Sequence, residues 1–324
     1  ESNKNLLKEF DDEITYRPNE WDSRWWSPII SAEHLAMRKR VAMFDLSAFA
    51  IFDIVGTGSL DYIQKMAVNQ MDVPVGRAVY TPLLNKRAGI KSDLTIVRMG
   101  ENQFRIITGV ADGARDKKWF SQHLPEDRSV QLIDQTAAIC TIGIWGPRAR
   151  DIVQSITNTD MSPNEFKFGW AKEINISEVN VWALRISYVG DLGWEIYIPI
   201  EHGQEIWDIL WKAGKPHGII PAGIGVYGTT GRLEKGYRLY GAELEGDYNP
   251  MEAGLLRPKI KLQKFIGKNA LLKLREKNPD TFMCTLTVDN HQSSNGELRY
   301  MLGGEPILTP DGDRIVDIHG RSSY

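Results

Sequence analysis

Ala50-Ile51-Phe52-Asp53-Ile54-Val55-Gly56, followed by Leu60, Ile63 and Ala67, reads as a strand that stops at a glycine and a helix that starts after it, because the apolar positions then return at helical spacing. The same order recurs over residues 142–156. There Ile144, Gly146, Asp151 and Gln154 match Ile54, Gly56, Asp61 and Gln64 at a constant offset of 90 positions. Two copies of one strand–turn–helix unit predict an α+β fold built on duplicated αβ units.

Between the copies lies a meander. Strands are expected over 78–84, 93–99 and 104–108, joined by the turn-rich 85–89 and 100–102, which makes them antiparallel hairpins by loop length. After the second copy, 181–187 and 194–200 form another hairpin around Gly190. A helix then follows in which Ile206 with Leu210, and Trp207 with Trp211, fall four apart before Gly214. Ahead of the first copy, residues 1–30 are polar and aromatic, with Trp21, Trp25 and Trp26, and a helix is expected over 31–41 with Ser31 as its N-cap. Past residue 278 the pattern is strand-like only, with 282–288 and a Pro310-Asp311-Gly312 turn between Ile307 and Ile315. The expected division is a region over 1–277 with two interwoven αβ domains and an incomplete β-barrel over 278–324. The chain starts without Met and stops just after the strand-like 314–318, so both ends are expected to be internal to a longer product.

Composition narrows the function classes. With 324 residues, 42% hydrophobic and 25% charged, the chain is an ordinary globular sequence, and its net charge of -3 gives no global pull toward nucleic acid or anionic membrane. Cys140 and Cys284 lie far apart in apolar runs, which argues against a disulfide framework and for a reducing, cytoplasmic setting. No apolar run is long enough to span a bilayer, and residues 1–10 are charged, unlike a secretory leader. His34, His123, His202, His217, His291 and His319 show no metal-ligand spacing, so no metal is expected. Gly56-Thr57-Gly58 lacks the third glycine of a dinucleotide loop, since Asp61 stands in its place, and neither a flavin nor an NAD site is expected.

Four side chains are candidates for chemistry. Asp93 opens its strand and shares a face with Thr95 and Val97; a carboxylate there either points into the hairpin's buried side or merely closes the preceding turn. Glu195 lies in Trp194-Glu195-Ile196-Tyr197-Ile198, on the face it shares with Tyr197. It is suited either to the N–H donors of a heterocycle or to solvent at a sheet edge. Tyr80 and Tyr188 could stack on a flat ligand or simply pack.

Taken together, eight ordered blocks resemble the glycine-cleavage T-protein (aminomethyltransferase) family, most closely the folate-binding module of dimethylglycine and sarcosine dehydrogenases. They include Phe44-Asp45-Leu46-Ser47, Ser92-Asp93-Leu94-Thr95, Trp145-Gly146-Pro147, Gly193-Trp194-Glu195, Arg232-Leu233-Glu234-Lys235-Gly236-Tyr237-Arg238 and Pro250-Met251-Glu252-Ala253-Gly254. The resemblance implies a three-domain cloverleaf with a central channel for tetrahydrofolate. It further implies that Asp93 lies near the folate nitrogens that receive the one-carbon unit, that Glu195 binds the pterin, and that Tyr80, Thr95, Tyr188 and Arg232 belong to the cofactor site. A carboxylate at Asp93 would accept a proton and steady developing positive charge.

Three departures from the family pattern accompany the resemblance. Thr108-Gly109-Val110 replaces a usual Val-Val-Asn, Tyr227-Gly228-Thr229 replaces Ala-Arg-Asp, and Arg87-Ala88-Gly89 replaces a glycine pair. They argue against a conventional T-protein that docks a lipoylated carrier. The implied function is one-carbon transfer from a small N-methylated donor, with a flavin dehydrogenase domain or subunit as partner. The alternatives are a stand-alone demethylase that moves an intact methyl group and a folate-binding module without catalysis.

Overall fold

A computed structural model describes residues 2–16, 27–257, 259–277 and parts of 279–312. The tryptophans at 21, 25 and 26 and the strand expected over 314–318 lie outside the described residues, as do more than half of the residues expected to form a barrel. Within 278–324 the described residues show isolated bridge positions, among them Gln292 with Leu298, and the strand expected over 282–288 is irregular chain.

The elements in chain order are α1 (Ser2–Glu9), α2 (Pro28–Lys39), β1 (Ala42–Asp45), β2 (Ala50–Val55), α3 (Ser59–Met66), β3 (Ala78–Leu84), β4 (Ile90–Gly100), β5 (Gln103–Thr108), α4 (Gly113–Ser121), β6 (Gln131–Asp134), β7 (Ile139–Trp145), α5 (Ala149–Ser155), β8 (Ala171–Ile176), β9 (Val179–Leu184), β10 (Gly193–Pro199), α6 (Gly203–Gly214), β11 (Ile220–Pro221), α7 (Arg232–Lys235) and α8 (Lys268–Arg275). A π-helical turn over Val226–Gly231 leads into α7. The strands form a six-stranded sheet, β11-β1-β7-β10-β9-β8, and a five-stranded sheet, β3-β4-β5-β2-β6. All ladders are antiparallel except β1 with β11.

The duplicated unit is present once in each sheet, as β2–α3 and as β7–α5. Its glycine has the same physical cause in both copies. Gly56 has φ +125° and Gly146 has φ +137°, and a Cβ would lie 2.1 Å from the Ser129 carbonyl oxygen in the first and 2.4 Å from the Arg40 carbonyl oxygen in the second. Only glycine admits both the backbone angle and the crossing chain.

Strand alternation then sorts each sheet into an outer and an inner face. Ile54, Leu94, Ile96 and Phe104 pack under Ile63, Met66 and Phe120 of α3 and α4. Ile144, Trp194, Ile196 and Ile198 pack under Ile152, Ile206 and Leu210 of α5 and α6. The opposite faces meet each other: Ile51, Ala78, Val97 and Ile107 of one sheet share a cluster with Ile139, Ala171, Leu184 and Tyr197 of the other. Helices therefore lie outside and the two sheets face inward. The residues in phase with that inner cluster are Tyr80, Asp93 and Thr95 on one sheet and Glu195 on the other.

Local boundaries differ from the sequence expectation in three places. Helix α2 begins at Pro28 rather than after Ser31, because Ser27 accepts the Ile29 amide at 3.3 Å and Pro28 supplies a preset first helical residue. Strand β4 begins at Ile90, ahead of Asp93, because the Asn85 side chain closes the turn through the amides of Arg87 and Gly89 and lets Ile90 pair with Leu84. Strand β9 pairs first with β8, and Tyr188 lies in the connection between β9 and β10 rather than at a tight turn.

Candidate functional site

Tyr80 and Thr95 face each other across the β3–β4 ladder, and Asp93 sits one inward position further along. The Tyr80 hydroxyl donates to Asp93 Oδ2 at 2.8 Å. Tyr80 keeps 39% of its surface accessible, yet burial raises its hydroxyl's pKa, with Asp93 adding to the effect. The ring is thus partly exposed while its hydroxyl is surrounded by protein. Burial pushes the Asp93 carboxyl up to about 6; the Tyr80 bond opposes this, and Asp112 and Asp116 add to it. Asp116 is fully buried, accepts from Ser92 Oγ at 2.6 Å and Thr108 Oγ1 at 2.5 Å, and pairs with Arg115 at 3.0 Å. Thr108, one of the departures from the family pattern, is thus engaged in fixing α4 to the strands beside Asp93.

Glu195 lies on β10 between β7 and β9, an interior strand, which removes the solvent-edge alternative. It is 9% accessible, and the Tyr197 hydroxyl donates to its Oε2. Burial pushes its carboxyl up to about 7 against that bond. The opposing positions are Gly143 and Leu184, so no cation stands directly across the ladder.

An aromatic wall connects the two carboxyls. Tyr188 lies 5.0 Å, centroid to centroid, from Tyr227 and stacks on Tyr237 at 5.9 Å and 7°. Tyr227 is held by Phe49, Trp145 and Phe44 at 5.8, 5.7 and 6.2 Å. Charge coupling orders the set: Tyr188 feels Asp93, and Tyr227 feels both Tyr188 and Glu195. The Tyr188 loop is itself pinned, since Arg38 donates to the Val189 carbonyl at 2.6 Å and pairs with Asp191 at 2.5 Å. The wide turn of the π-helical segment carries Tyr227 into this wall while Thr230 reaches His34 Nδ1 at 2.8 Å.

The structure thus places Tyr80, Asp93 and Thr95 on the inner face of one sheet and Glu195 on the inner face of the other, with Tyr188 and Tyr227 linking the two carboxyls. Arg232 is placed differently. It is 2% accessible, donates to the Gly228 and Tyr237 carbonyls at 2.8 and 3.2 Å, and pairs with Glu243 at 2.7 Å, behind Tyr188. Two residues that the sequence reading did not single out join the site, Tyr227 and Arg238. Tyr227 was visible only as an aromatic in a departing block, and Arg238 only as the last residue of a matching one. Among the described residues no group of His, Cys, Asp and Glu could hold a metal ion, and no helix is long and apolar enough to cross a membrane.

Residues 9–264 match the GCVT N-terminal domain family. The chain belongs to this family. It is 35% identical to an aminomethyltransferase of Chlorobium luteolum over 79% of this chain and 71% of the relative. It is 33% identical to the mitochondrial dimethylglycine dehydrogenase of Homo sapiens over 84% of this chain but only 32% of the relative, so the chain spans about a third of that protein. In fold it is similar to the glycine cleavage system aminomethyltransferase T of Bartonella henselae, with a TM-score of 0.68, 22% identity and coverage of 87% of this chain and 74% of the other. The α+β architecture and the folate-dependent transferase class are those of the GCVT family.

Proposed function

We propose that this chain places a one-carbon unit from an N-methylated amine, a glycine derivative such as dimethylglycine or sarcosine, onto tetrahydrofolate, giving methylene-tetrahydrofolate. The observation that carries the reading is the placement of two carboxyls, Asp93 and Glu195, on the inner faces of the two sheets with tyrosines between them.

The residues fit a reduced pterin. Glu195 accepts one phenol and retains acceptor capacity for the amino and ring N–H groups of a heterocycle. Tyr188 offers a flat ring backed by the buried Tyr227, and Tyr80 and Thr95 stand beside Asp93. When bound, tetrahydrofolate supplies the nucleophilic nitrogens that take the one-carbon unit. Asp93, poised at about 6, takes a proton from the reacting nitrogen and as a carboxylate steadies the positive charge that develops beside it. Tyr80 orients that carboxylate, and the enclosing sheets limit water. With formaldehyde or its equivalent as donor, two C–N bonds form, the carbonyl oxygen leaves as water and no electrons are exchanged.

Oxidation of the amine would fall to a flavin dehydrogenase domain or subunit. The dehydrogenase relative, about three times the length of this chain, supports that assignment. The cloverleaf arrangement, the division at about residue 278 with a barrel beyond it, and a cytoplasmic setting belong to the same proposal. The test is calorimetric titration with tetrahydrofolate, followed by product analysis by mass spectrometry with dimethylglycine and a flavin oxidase present or absent. Methylene-tetrahydrofolate only with the oxidase supports the proposal. Methyl-tetrahydrofolate without it would replace the proposal with transfer of an intact methyl group, and binding without any product would leave a non-catalytic folate module.

A further inference from the structure

Arg238 follows α7 and lies against Tyr188. Its carbonyl accepts the Tyr188 hydroxyl at 2.7 Å, which fixes its main chain against the aromatic wall. Its guanidinium is only partly satisfied. Nη1 donates to the Gly236 carbonyl at 3.1 Å, while Nε is buried and has no hydrogen-bond partner. Gly254 lies under the group, where a Cβ would come within 2.9 Å of Nη2.

Most other arginines near the site already have carboxylates: Arg38 holds Asp191 and Glu234, Arg105 holds Asp53, Arg115 holds Asp112 and Asp116, and Arg232 holds Glu243. Arg238 has none among the described residues. Its charge nevertheless acts on the Tyr80 hydroxyl, against burial and Asp93. A guanidinium has five donors in a planar fork suited to two carboxylate oxygens, and a buried donor left unpaired is costly.

We infer that Arg238 is the anion-anchoring residue of this site, its guanidinium taking the carboxylate of a bound ligand. The inference rests on the folate reading above and adds to it the ligand's carboxylate. That carboxylate has two sources: the glutamate tail of tetrahydrofolate, or the acid group of an N-methylated amino acid such as dimethylglycine. In either case Arg238 fixes the distance between the ligand's acid group and the reacting nitrogens near Asp93. It is a positioning residue and not a catalytic one.

The test compares ligands that differ only in the carboxylate. Arg238→Gln and Arg238→Lys are titrated by calorimetry with tetrahydrofolate and with its diamide, in which both tail carboxylates are amides. The folate-saturated proteins are then titrated with dimethylglycine and with dimethylglycinamide. The expected result is that Arg238→Gln loses about tenfold or more in affinity for one acid while its amide binds as it does to the unaltered chain, and that Arg238→Lys recovers part of the loss. A loss confined to tetrahydrofolate assigns the tail, and one confined to dimethylglycine assigns the donor. Equal losses for acid and amide, or no loss for either acid, would overturn the inference while leaving folate binding in place. Failure of the unaltered chain to bind tetrahydrofolate would instead remove the folate reading, and the inference with it.

Discussion

Tyr80 donates its hydroxyl to Asp93 Oδ2 at 2.8 Å from the neighbouring strand, and this bond opposes the burial that raises the Asp93 carboxyl to about 6. Removing the donor should therefore raise the carboxyl further. For Tyr80→Phe the acid limb of the pH–rate profile for folate-dependent transfer, expected near pH 6 in the unaltered chain, should move up by about one unit, since hydrogen bonds to charged groups contribute about 1.5–3 kcal/mol. An unmoved limb would mean that Asp93 is not the titrating group.

Glu195 provides a second pH signature, this time in stability. Its folded pKa of about 7 lies above the ordinary glutamate value of 4.5, so the folded chain binds the proton more tightly than the unfolded chain. The stability this gives is fully present below about 4.5 and is lost as pH rises to about 7. In urea unfolding without ligand, the unaltered chain should lose up to about 3 kcal/mol across that window relative to Glu195→Gln, which does not titrate. Parallel curves for the two proteins would show that Glu195 is solvated in the ligand-free state.

The repeated glycines offer a matched pair of tests. Gly56→Ala and Gly146→Ala each place a Cβ within 2.5 Å of a carbonyl oxygen at a positive φ that alanine rarely adopts. Each should cost about 2–4 kcal/mol by urea or thermal unfolding, with similar values in the two copies. A cost under about 1 kcal/mol in either would show that the crossing segment, at Ser129 or at Arg40, can yield.

These glycines also show what the sequence makes legible. A 90-residue offset with matched Ile, Gly, Asp and Gln revealed the duplicated unit because the same backbone crossing selects glycine twice. Period-two alternation likewise placed Asp93 with Thr95 and Glu195 with Tyr197 on shared faces. It could not say that those faces look at each other, since sheet order is set by long-range pairing. The β8–β9 hairpin was missed because its turn uses Ser177 and Glu178 at φ +48° and +70°, where glycine or asparagine would have signalled it. Tyr227 was hidden for a related reason: its inward direction follows from a π-helical turn, and the 3.6-residue period does not anticipate one.

Arg232 lies behind the wall that Tyr188 forms, bonded to Gly228, Tyr237 and Glu243, and its side chain is almost inaccessible. Those bonds join the π-helical turn, Tyr237 just past α7 and the loop that carries Glu243, so its first effect is to hold the wall in place. Removing one member of a buried ion pair strands the other, a loss of about 3–5 kcal/mol. Arg232→Met should therefore unfold at markedly lower urea concentration, and Glu243→Gln should lower it by less, because a neutral amide can still accept from Arg232. Tetrahydrofolate affinity in Arg232→Met, measured where the variant is still folded, should fall in step with the stacking of Tyr188. Near-unaltered stability together with lost affinity would instead assign the guanidinium to the ligand.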